Sequence, residues 1–257
     1  LADSDVLFWA QGLNANSKFD VSITEPDVSP IQLQGPKSKQ IMLHIFGDEI
    51  LNIKYYWFKR FNLDDIKLLI SRTGWSSEYG YEIFLLDSSK GNKLYEILMK
   101  EGRPLGLHAG HTSTIRRIEG GMLSYHSDMD ININPLELGM DKFIELDNKF
   151  NFIGKEALIK INESGIKNKQ VGLVIDTKPL KGPNTKKWRI LYDNRCIGKV
   201  TSAVYSPRLK KNIALAMVDI KYIDLGTKLQ TKIDDKIVNC TIVEKPFFDP
   251  KKKIASS

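Results

Sequence analysis

The 257-residue sequence predicts a protein of the α+β class that ends in a small all-β barrel or sandwich. From residue 171 onward, short strand patterns alternate with turn signals, a spacing typical of small all-β domains. Over residues 31–47, a strand, a Gly-Pro turn and a helix follow one another, which favours a ferredoxin-like split βαβ unit. The chain has no Gly-x-Gly-x-x-Gly after a strand, so the sequence argues against a Rossmann unit.

Composition bounds the class of protein. The content of 42% hydrophobic and 27% charged residues is ordinary for a globular chain. No apolar run reaches the roughly 18 residues of a membrane span, so we expect no membrane partner. The net charge of +7 comes from lysines scattered through turns without a recognition motif, which predicts no nucleic-acid partner. The two cysteines lack metal-ligand spacing and fit a reducing cytoplasm.

Periodicity assigns the elements in chain order. Apolar residues at helical spacing predict helices over 3–12, 36–46, 88–101 and 154–160. An aromatic run over 54–61 and apolar runs over 66–70 and 80–86 predict three strands. The later strands are predicted at 171–175, 188–192, 196–200, 213–218, 228–231 and 236–243. A polar stretch over 162–170 predicts a linker between a first domain over 1–165 and a second over 170–257.

The stretch over residues 72–84, Arg-Thr-Gly-Trp-Ser-Ser-Glu-Tyr-Gly-Tyr-Glu-Ile-Phe, carries the strongest functional signal. Side chains alternate between the faces of a strand, so Glu82 shares its face with Phe84 while Tyr81 points the other way. A carboxylate among apolar neighbours requires a partner. If the stretch is only a structural hairpin, the partner is an arginine such as Arg72 or Arg117. If the stretch forms a binding site beside Trp75, the partner is a ligand edge with two adjacent N–H donors.

Several motifs together resemble the glycine-cleavage T-protein (aminomethyltransferase) family. The stretch over 72–84 resembles the folate signature of that family, which usually has Tyr-Thr-Gly-Glu where this chain has Trp-Ser-Ser-Glu. The resemblance continues in family order through Arg-Ile-Glu-Gly-Gly at 117–121, Asn-Pro-Leu-Glu-Leu-Gly at 134–139, Phe-Ile-Gly-Lys-Glu-Ala-Leu at 152–158, Ile-Gly-Lys-Val-Thr-Ser-Ala at 197–203 and Ser-Pro at 206–207.

The resemblance implies a folate-binding α+β domain over 1–165, a C-terminal antiparallel β-barrel over 170–257, and tetrahydrofolate as cofactor. It implies that Trp75 and Glu82 bind the folate, with Tyr81 and Phe84 shaping the wall. The family has Ala-Arg-Asp where this chain has Thr112, Ser113 and Thr114, so one folate contact of the family is not matched. His108 and His111 have no third ligand spaced to help, and no metal site is expected.

Within the family, Glu-Pro-Asp-Val-Ser-Pro at 25–30, Lys-Tyr-Tyr-Trp-Phe at 54–58 and Gly-Met-Leu-Ser-Tyr at 121–125 most resemble demethylases of dimethylsulfoniopropionate. That resemblance implies a small-molecule sulfonium as methyl donor. A cation over an aromatic face gains roughly 0.5–2 kcal/mol, so Trp57 or Tyr56 is a candidate wall for the sulfonium. Arg117 is a candidate partner for a carboxylate.

No catalytic residue is nominated, because the key aspartate of the family belongs to an N-terminal portion that this sequence, beginning with Leu, is expected to lack. Methyl transfer to folate needs orientation more than a protein nucleophile. Three functions stay open. The first is demethylation of a sulfonium, and the second is aminomethyl transfer from a lipoyl carrier protein or the related demethylation of a methylated glycine. The third is folate binding without catalysis. The sequence leaves a homo-oligomer open.

Overall fold

The computed structural model describes residues 5–17 and 19–257, which form two compact units. The sheet unit comprises the described residues up to Ser113 together with Lys251–Ser257. The barrel unit comprises Thr114–Pro250. Both units match the predicted α+β class, and the predicted C-terminal barrel is confirmed.

The sheet unit is built on four antiparallel strands in the order β1-β4-β3-β2. Its elements are α1 (Asp5–Ala15), β1 (Ser29–Gln34), α2 (Ser38–Phe46), β2 (Phe58–Leu63), β3 (Ile66–Ser71), β4 (Gly80–Leu85) and α3 (Gly91–Gly102), with 3₁₀ turns at Asp48–Asn52, Ser88–Lys90 and Arg103–Leu105. Residues 3 and 4 of the first predicted helix lie outside the described residues. Strand β4 lies between β1 and β3, and the two strands that α2 connects, β1 and β2, form the edges of the sheet.

One face of this sheet is the core face. Alternate residues of β4, including Tyr81, Ile83 and Leu85, are fully buried there. They pack in one apolar cluster with Ile41 and Met42 of α2 and with residues of α3. Burial of a large apolar side chain stabilises by about 1.5–3 kcal/mol, so this cluster fixes which face each strand turns inward. The polar residues of β4 are thereby directed to the opposite face.

The predicted strand over 54–61 begins later than expected, at Phe58. Tyr56 has a left-handed φ of 66° and belongs to a turn. The backbone N–H of Tyr56 donates to Arg72 O at 3.0 Å, and the N–H of Arg72 donates to Trp57 O at 2.9 Å. These bonds tie the turn to the end of β3, so the aromatic run is divided between a turn and a strand.

The barrel unit contains a closed antiparallel barrel in the order β10-β5-β8-β7-β6-β9. Its strands are β5 (Asn168–Ile175), β6 (Trp188–Tyr192), β7 (Arg195–Ser206), β8 (Lys211–Asp219), β9 (Lys228–Ile233) and β10 (Lys236–Val243). The helices α4 (Thr114–Glu119) and α5 (Lys155–Ser164) precede them, with 3₁₀ turns at Asp141–Phe143 and Ile220–Tyr222. A short helix α6 (Lys253–Ser256) belongs to the sheet unit. Among the residues described, no helix has the length and apolar character needed to cross a bilayer.

Candidate active site on the sheet face

Glu82 lies in a row of side chains that crosses all four strands of the sheet unit. Register places Gln32 of β1 and Ser71 of β3 directly opposite Glu82, and Phe58 of β2 opposite Ser71. Directly opposite residues of an antiparallel pair project on the same side of the sheet. The row therefore lies on the face opposite the core, with Phe84 two residues further along β4, as alternation predicts.

The Glu82 carboxylate is half-buried and accepts hydrogen bonds from neutral groups. Gln32 Nε2 donates to Glu82 Oε1 at 3.0 Å, and the Thr73 hydroxyl donates to Glu82 Oε2. Neither Arg72 nor any other cation among the described residues forms an ion pair with Glu82. An ionised carboxylate has about four acceptor positions, so Glu82 retains capacity for further N–H donors.

Arg72 turns away from Glu82, because it follows Ser71 in the chain and faces alternate. The guanidinium is buried and lies 3.6 Å from the centroid of the Tyr79 ring. It donates to Gly80 O at 2.7 Å and to Ala255 O at 3.0 Å. Arg72 therefore joins the end of the chain to β4 and leaves the Glu82 charge uncompensated.

Tyr81 lies on the core face and is fully buried, so the structure does not bring it to the face of Glu82 and Phe84. Its hydroxyl is 3.1 Å from the Tyr79 hydroxyl. Burial, reinforced by the hydrogen bond with Tyr79, raises the pKa of the Tyr81 phenol, which keeps it protonated. Trp75, in the loop before β4, and Phe84 are both half-buried.

The loop that carries Thr73 is organised by the side-chain amide of Gln34. Gln34 Nε2 donates to Thr73 O and Tyr81 O, each at 3.1 Å, while Ser76 Oγ donates to Gln34 Oε1 at 2.6 Å. A Cβ on Gly74 would lie 2.1 Å from Gln34 Oε1. The close approach of this amide favours glycine at position 74, because an added Cβ would displace the Gln34 side chain from the bonds that hold the backbone at Thr73.

The aromatic rings proposed for the sulfonium already have lysines nearby. Lys54 Nζ is 5.6 Å from the centroid of the Trp57 ring, and Lys252 Nζ is 5.3 Å from that of Tyr56. Lys252 Nζ also donates to the Tyr56 hydroxyl oxygen at 2.7 Å. Both rings are 63% exposed. These distances lie within the range in which a cation gains from an aromatic face.

Arg117 belongs to the barrel unit, where its guanidinium is committed to a buried ion pair. Arg117 Nη1 donates to Asp128 Oδ2 at 2.7 Å, and Nη2 donates to Ser202 Oγ at 2.8 Å. Asp128 also accepts from Thr201 Oγ1 at 2.6 Å and from Ser124 N at 2.9 Å. These bonds stabilise the barrel unit, and the predicted role of Arg117 as a partner for a substrate carboxylate stays a prediction.

A cavity of about 360 Å³ lies elsewhere in the sheet unit, at the start of α2. Gln34, Lys37, Ser38 and His108 line it together with apolar side chains, and Glu82 and Trp75 do not. Its buried polar group Ser38 is already satisfied, because Ser38 Oγ donates to Tyr79 O at 2.9 Å. We place the candidate site at Glu82 because that side chain has both charge and unused acceptor capacity.

Two family models match the chain. The GCVT N-terminal domain matches residues 2–148, and the glycine cleavage T-protein C-terminal barrel domain matches residues 168–249. The chain belongs to the glycine cleavage T-protein family. The resemblance that the motifs indicate is thereby confirmed for both halves of this family member.

Three similar relatives carry two different names. The chain is 35% identical over 244 residues to a dimethylsulfoniopropionate demethylase of Ruegeria pomeroyi, covering 95% of this chain and 66% of that protein. It is 33% identical over 237 residues to an aminomethyltransferase of Caldanaerobacter subterraneus, covering 90% and 61%. It is 36% identical over 261 residues to an aminomethyltransferase of Clostridium botulinum, covering 98% and 67%.

The chain thus spans about two thirds of the length of the curated relatives it matches. Among solved structures, it is similar to the glycine cleavage system aminomethyltransferase T from Bartonella henselae. The TM-score is 0.82 at 20% identity, over 96% of this chain and 67% of that one. At that identity the likeness concerns the fold.

Sequence reasoning nominated Glu82, Trp75 and Phe84 as site residues but missed Gln32 and Thr73, which donate hydrogen bonds to the Glu82 carboxylate. The signal for Thr73 was present, since a hydroxyl two residues beyond Ser71 lies at the end of the neighbouring strand. The signal for Gln32 was not, because the pairing of β1 with β4 depends on register between segments 50 residues apart.

Proposed function

We propose that this chain carries the folate-binding site of a tetrahydrofolate-dependent one-carbon transferase. The observation that carries the proposal is the Glu82 carboxylate, which is half-buried beside Phe84 and bonded only to neutral donors. A reduced pterin presents a ring N–H beside an exocyclic amine, and a carboxylate with unused lone pairs suits that edge. Trp75 and Phe84 are the proposed aromatic and apolar walls.

Tetrahydrofolate, when bound, supplies the nitrogen that accepts the one-carbon unit. The role proposed for this chain is to bind and orient it: Glu82 accepts hydrogen bonds and Trp75 limits the access of water. Orientation of two reactants contributes roughly 7–11 kcal/mol to a transfer reaction. The proposal therefore assigns no proton transfer to a residue of this chain.

For the donor, we propose a small sulfonium, with the reaction most like demethylation of dimethylsulfoniopropionate to methylmercaptopropionate and 5-methyltetrahydrofolate. The name of the Ruegeria pomeroyi relative supports this choice. Trp57 and Tyr56 are rings that attract cations, and a bound sulfonium would displace the ammonium groups of Lys54 and Lys252 from them. Trp57 and Tyr56 are the proposed walls for the sulfonium.

Aminomethyl transfer is the second candidate, because aminomethyltransferases of Caldanaerobacter subterraneus and Clostridium botulinum are as similar to the chain as the demethylase is. It requires a lipoyl carrier protein as partner and yields ammonia and a folate product at the formaldehyde level. A cytoplasmic location fits both candidates, since Cys196 and Cys240 are free thiols.

The folate site is tested by titrating tetrahydrofolate under argon against the chain and against Glu82→Gln, with binding followed by Trp fluorescence. Loss of the charge should weaken binding by about 1.5–3 kcal/mol, roughly a 10- to 150-fold rise in Kd. Equal affinity of both proteins would remove Glu82 from the site. The donor is tested separately by measuring 5-methyltetrahydrofolate formed from dimethylsulfoniopropionate, with ammonia release from an aminomethylated carrier as the alternative outcome.

A further inference from the structure

Three strands contribute to the environment of one carboxylate. Glu82 projects from β4, Gln32 from β1 on one side, and Ser71 from β3 on the other. Thr73, two residues beyond Ser71, reaches the same carboxylate from the loop. Each oxygen of Glu82 therefore has one donor, and the two donors approach from opposite sides of the strand.

The direction of the hydrogen bonds follows from the chemistry of the groups. Ser71 Oγ and Thr73 Oγ1 are 2.5 Å apart, and either hydroxyl could donate to the other. An ionised carboxylate only accepts, so the single hydroxyl proton of Thr73 is committed to Glu82. Ser71 must then donate to Thr73. Because hydrogen bonds in a chain polarise one another, the Ser71 bond strengthens the bond from Thr73 to Glu82.

Both donors to Glu82 are neutral, so the negative charge of its carboxylate stays available to a ligand. An arginine at either position would form a bidentate pair with Glu82 and occupy its acceptor positions. A glutamine and a threonine fix the carboxylate while leaving its negative charge unpaired by any cation among the described residues. Fixing a glutamate side chain in advance also removes the loss of its rotamer entropy from the cost of binding.

Packing does not explain Gln32, because its side chain is exposed and lies outside the buried cluster of the sheet unit. Thr73 is half-buried and is likewise outside that cluster. Their common feature is contact with Glu82. Removing either side-chain polar group should therefore change the carboxylate more than the fold.

We propose that Thr73 and Gln32 are positioning residues that hold the Glu82 carboxylate in one orientation and so determine the affinity of the site for a reduced pterin. This inference rests on the folate site proposed above. It goes further by naming the residues that orient the carboxylate toward a ligand edge with two N–H donors.

The test is a double-mutant cycle on tetrahydrofolate binding by the 257-residue chain. Thr73→Val should raise Kd about tenfold, and Gln32→Leu about threefold, because each removes one bond to Glu82. Thr73→Ser keeps the hydroxyl and should restore Kd to within about twofold of the starting protein. In the Glu82→Gln background, Thr73→Val should have little further effect, since the two residues act through one carboxylate.

Gln32→Arg tests the effect of a positive charge placed next to Glu82. It should weaken tetrahydrofolate binding by about tenfold although it introduces a potential hydrogen-bond donor, because its guanidinium pairs with Glu82. Asn62→Leu removes an exposed amide from β2 and is the matched control, with Kd expected to stay unchanged. Thermal melts of every variant separate lost affinity from lost folding.

The outcomes distinguish the two proposals. If the unmodified chain fails to bind tetrahydrofolate, the folate site itself is wrong. If it binds, Glu82→Gln weakens it, and both Thr73→Val and Gln32→Leu bind normally, the folate site stands and the positioning role is overturned. The positioning role is also overturned if Thr73→Ser, which keeps the hydroxyl, raises Kd as much as Thr73→Val does. It is overturned as well if Thr73→Val raises Kd in full in the Glu82→Gln background.

Discussion

Glu82 in the sheet unit and Asp128 in the barrel unit are both carboxylates with several hydrogen bonds, yet their surroundings differ in charge and exposure. Asp128 is completely buried and pairs with Arg117, whose side chain is 6% exposed. Thr201 and the Ser124 backbone donate to it as well. Glu82 is half-buried and has only Thr73 and Gln32.

The difference separates a carboxylate that supports the fold from one that is available to a ligand. A buried ion needs a counter-ion and a full set of hydrogen bonds, and Asp128 has both. Glu119 of α4 repeats the pattern: it is fully buried, accepts from Ser206 Oγ at 2.6 Å and from Arg116 Nη1 at 3.0 Å. Glu82 keeps solvent contact and unused lone pairs, so its charge costs little in the absence of ligand.

The largest effect should come from breaking the buried pair. Asp128→Asn removes the charge that pairs with the buried Arg117 guanidinium, so we expect the free energy of unfolding to fall by about 3–5 kcal/mol. Urea denaturation followed by circular dichroism measures this. Glu82→Gln is the matched control and should change stability by less than about 1 kcal/mol. Similar losses in the two variants would contradict the distinction between these carboxylates.

The loop that supports Glu82 should be the next most sensitive region. Gly74→Ala forces the Gln34 amide away from Thr73 O, Tyr81 O and Ser76 Oγ, because the new Cβ would lie 2.1 Å from Gln34 Oε1. We expect a loss of about 2–3 kcal/mol in unfolding free energy.

Gly12→Ala is the control for this glycine substitution, since no atom lies within 4 Å of a Cβ at that helical position. It should stabilise α1 by about 0.5–1 kcal/mol. Gly74→Ala should also weaken tetrahydrofolate binding, because Thr73 moves with the loop. A Gly74→Ala protein as stable as the original would show that Gln34 relocates without cost.

Alternation and turn spacing predicted much of this arrangement. Six strands of the barrel were predicted from short apolar runs between turn residues, and all six form, with β7 extending further to Ser206. The same alternation correctly placed Glu82 with Phe84 and opposite Tyr81. These features depend on local periodicity, which a single sequence displays directly.

The partners of Glu82 depended on information that periodicity lacks. The hypothesis of an Arg72 partner is wrong, because Arg72 directly follows Ser71 and so faces the buried tyrosines. Gln32 reaches Glu82 only through the pairing of β1 with β4. Register between distant strands is set by the packing of the whole sheet, so a short polar pattern in β1 carries no sign of its partner.

A smaller effect is expected on the pH dependence of stability, through Lys245, which lies near Asp128. Burial lowers the pKa of Lys245 to about 8 from 10.5, with Asp128 opposing the shift and Lys169 adding to it. Its ammonium donates to Gln170 Oε1. Between pH 8 and 10 the unfolded chain holds this proton more tightly than the folded chain, so the contribution of Lys245 to stability should rise with pH.

We expect a rise on the order of 1–2 kcal/mol across that window. Comparison of the pH dependence of unfolding for the original chain and Lys245→Gln isolates the effect, because other titrating groups, including Tyr81, are common to both. The variant should lose the rise. A parallel pH dependence in the two proteins would mean that the Lys245 ammonium is as well solvated when folded as when unfolded.

Two neighbouring serines in the loop beside Glu82 should change the free energy of unfolding in opposite directions when replaced by glycine, and Ser77 should give the smallest change. Ser77 has a left-handed φ of 56°, a conformation that favours glycine, and the family signature usually has Gly at this position. Ser77→Gly should therefore raise the free energy of unfolding by about 0.5 kcal/mol. Ser76→Gly should lower it by about 1–2 kcal/mol, since it removes the hydroxyl that donates to Gln34 Oε1. Thermal melts that show the same sign for both substitutions would refute the separate roles of strain at Ser77 and hydrogen bonding at Ser76.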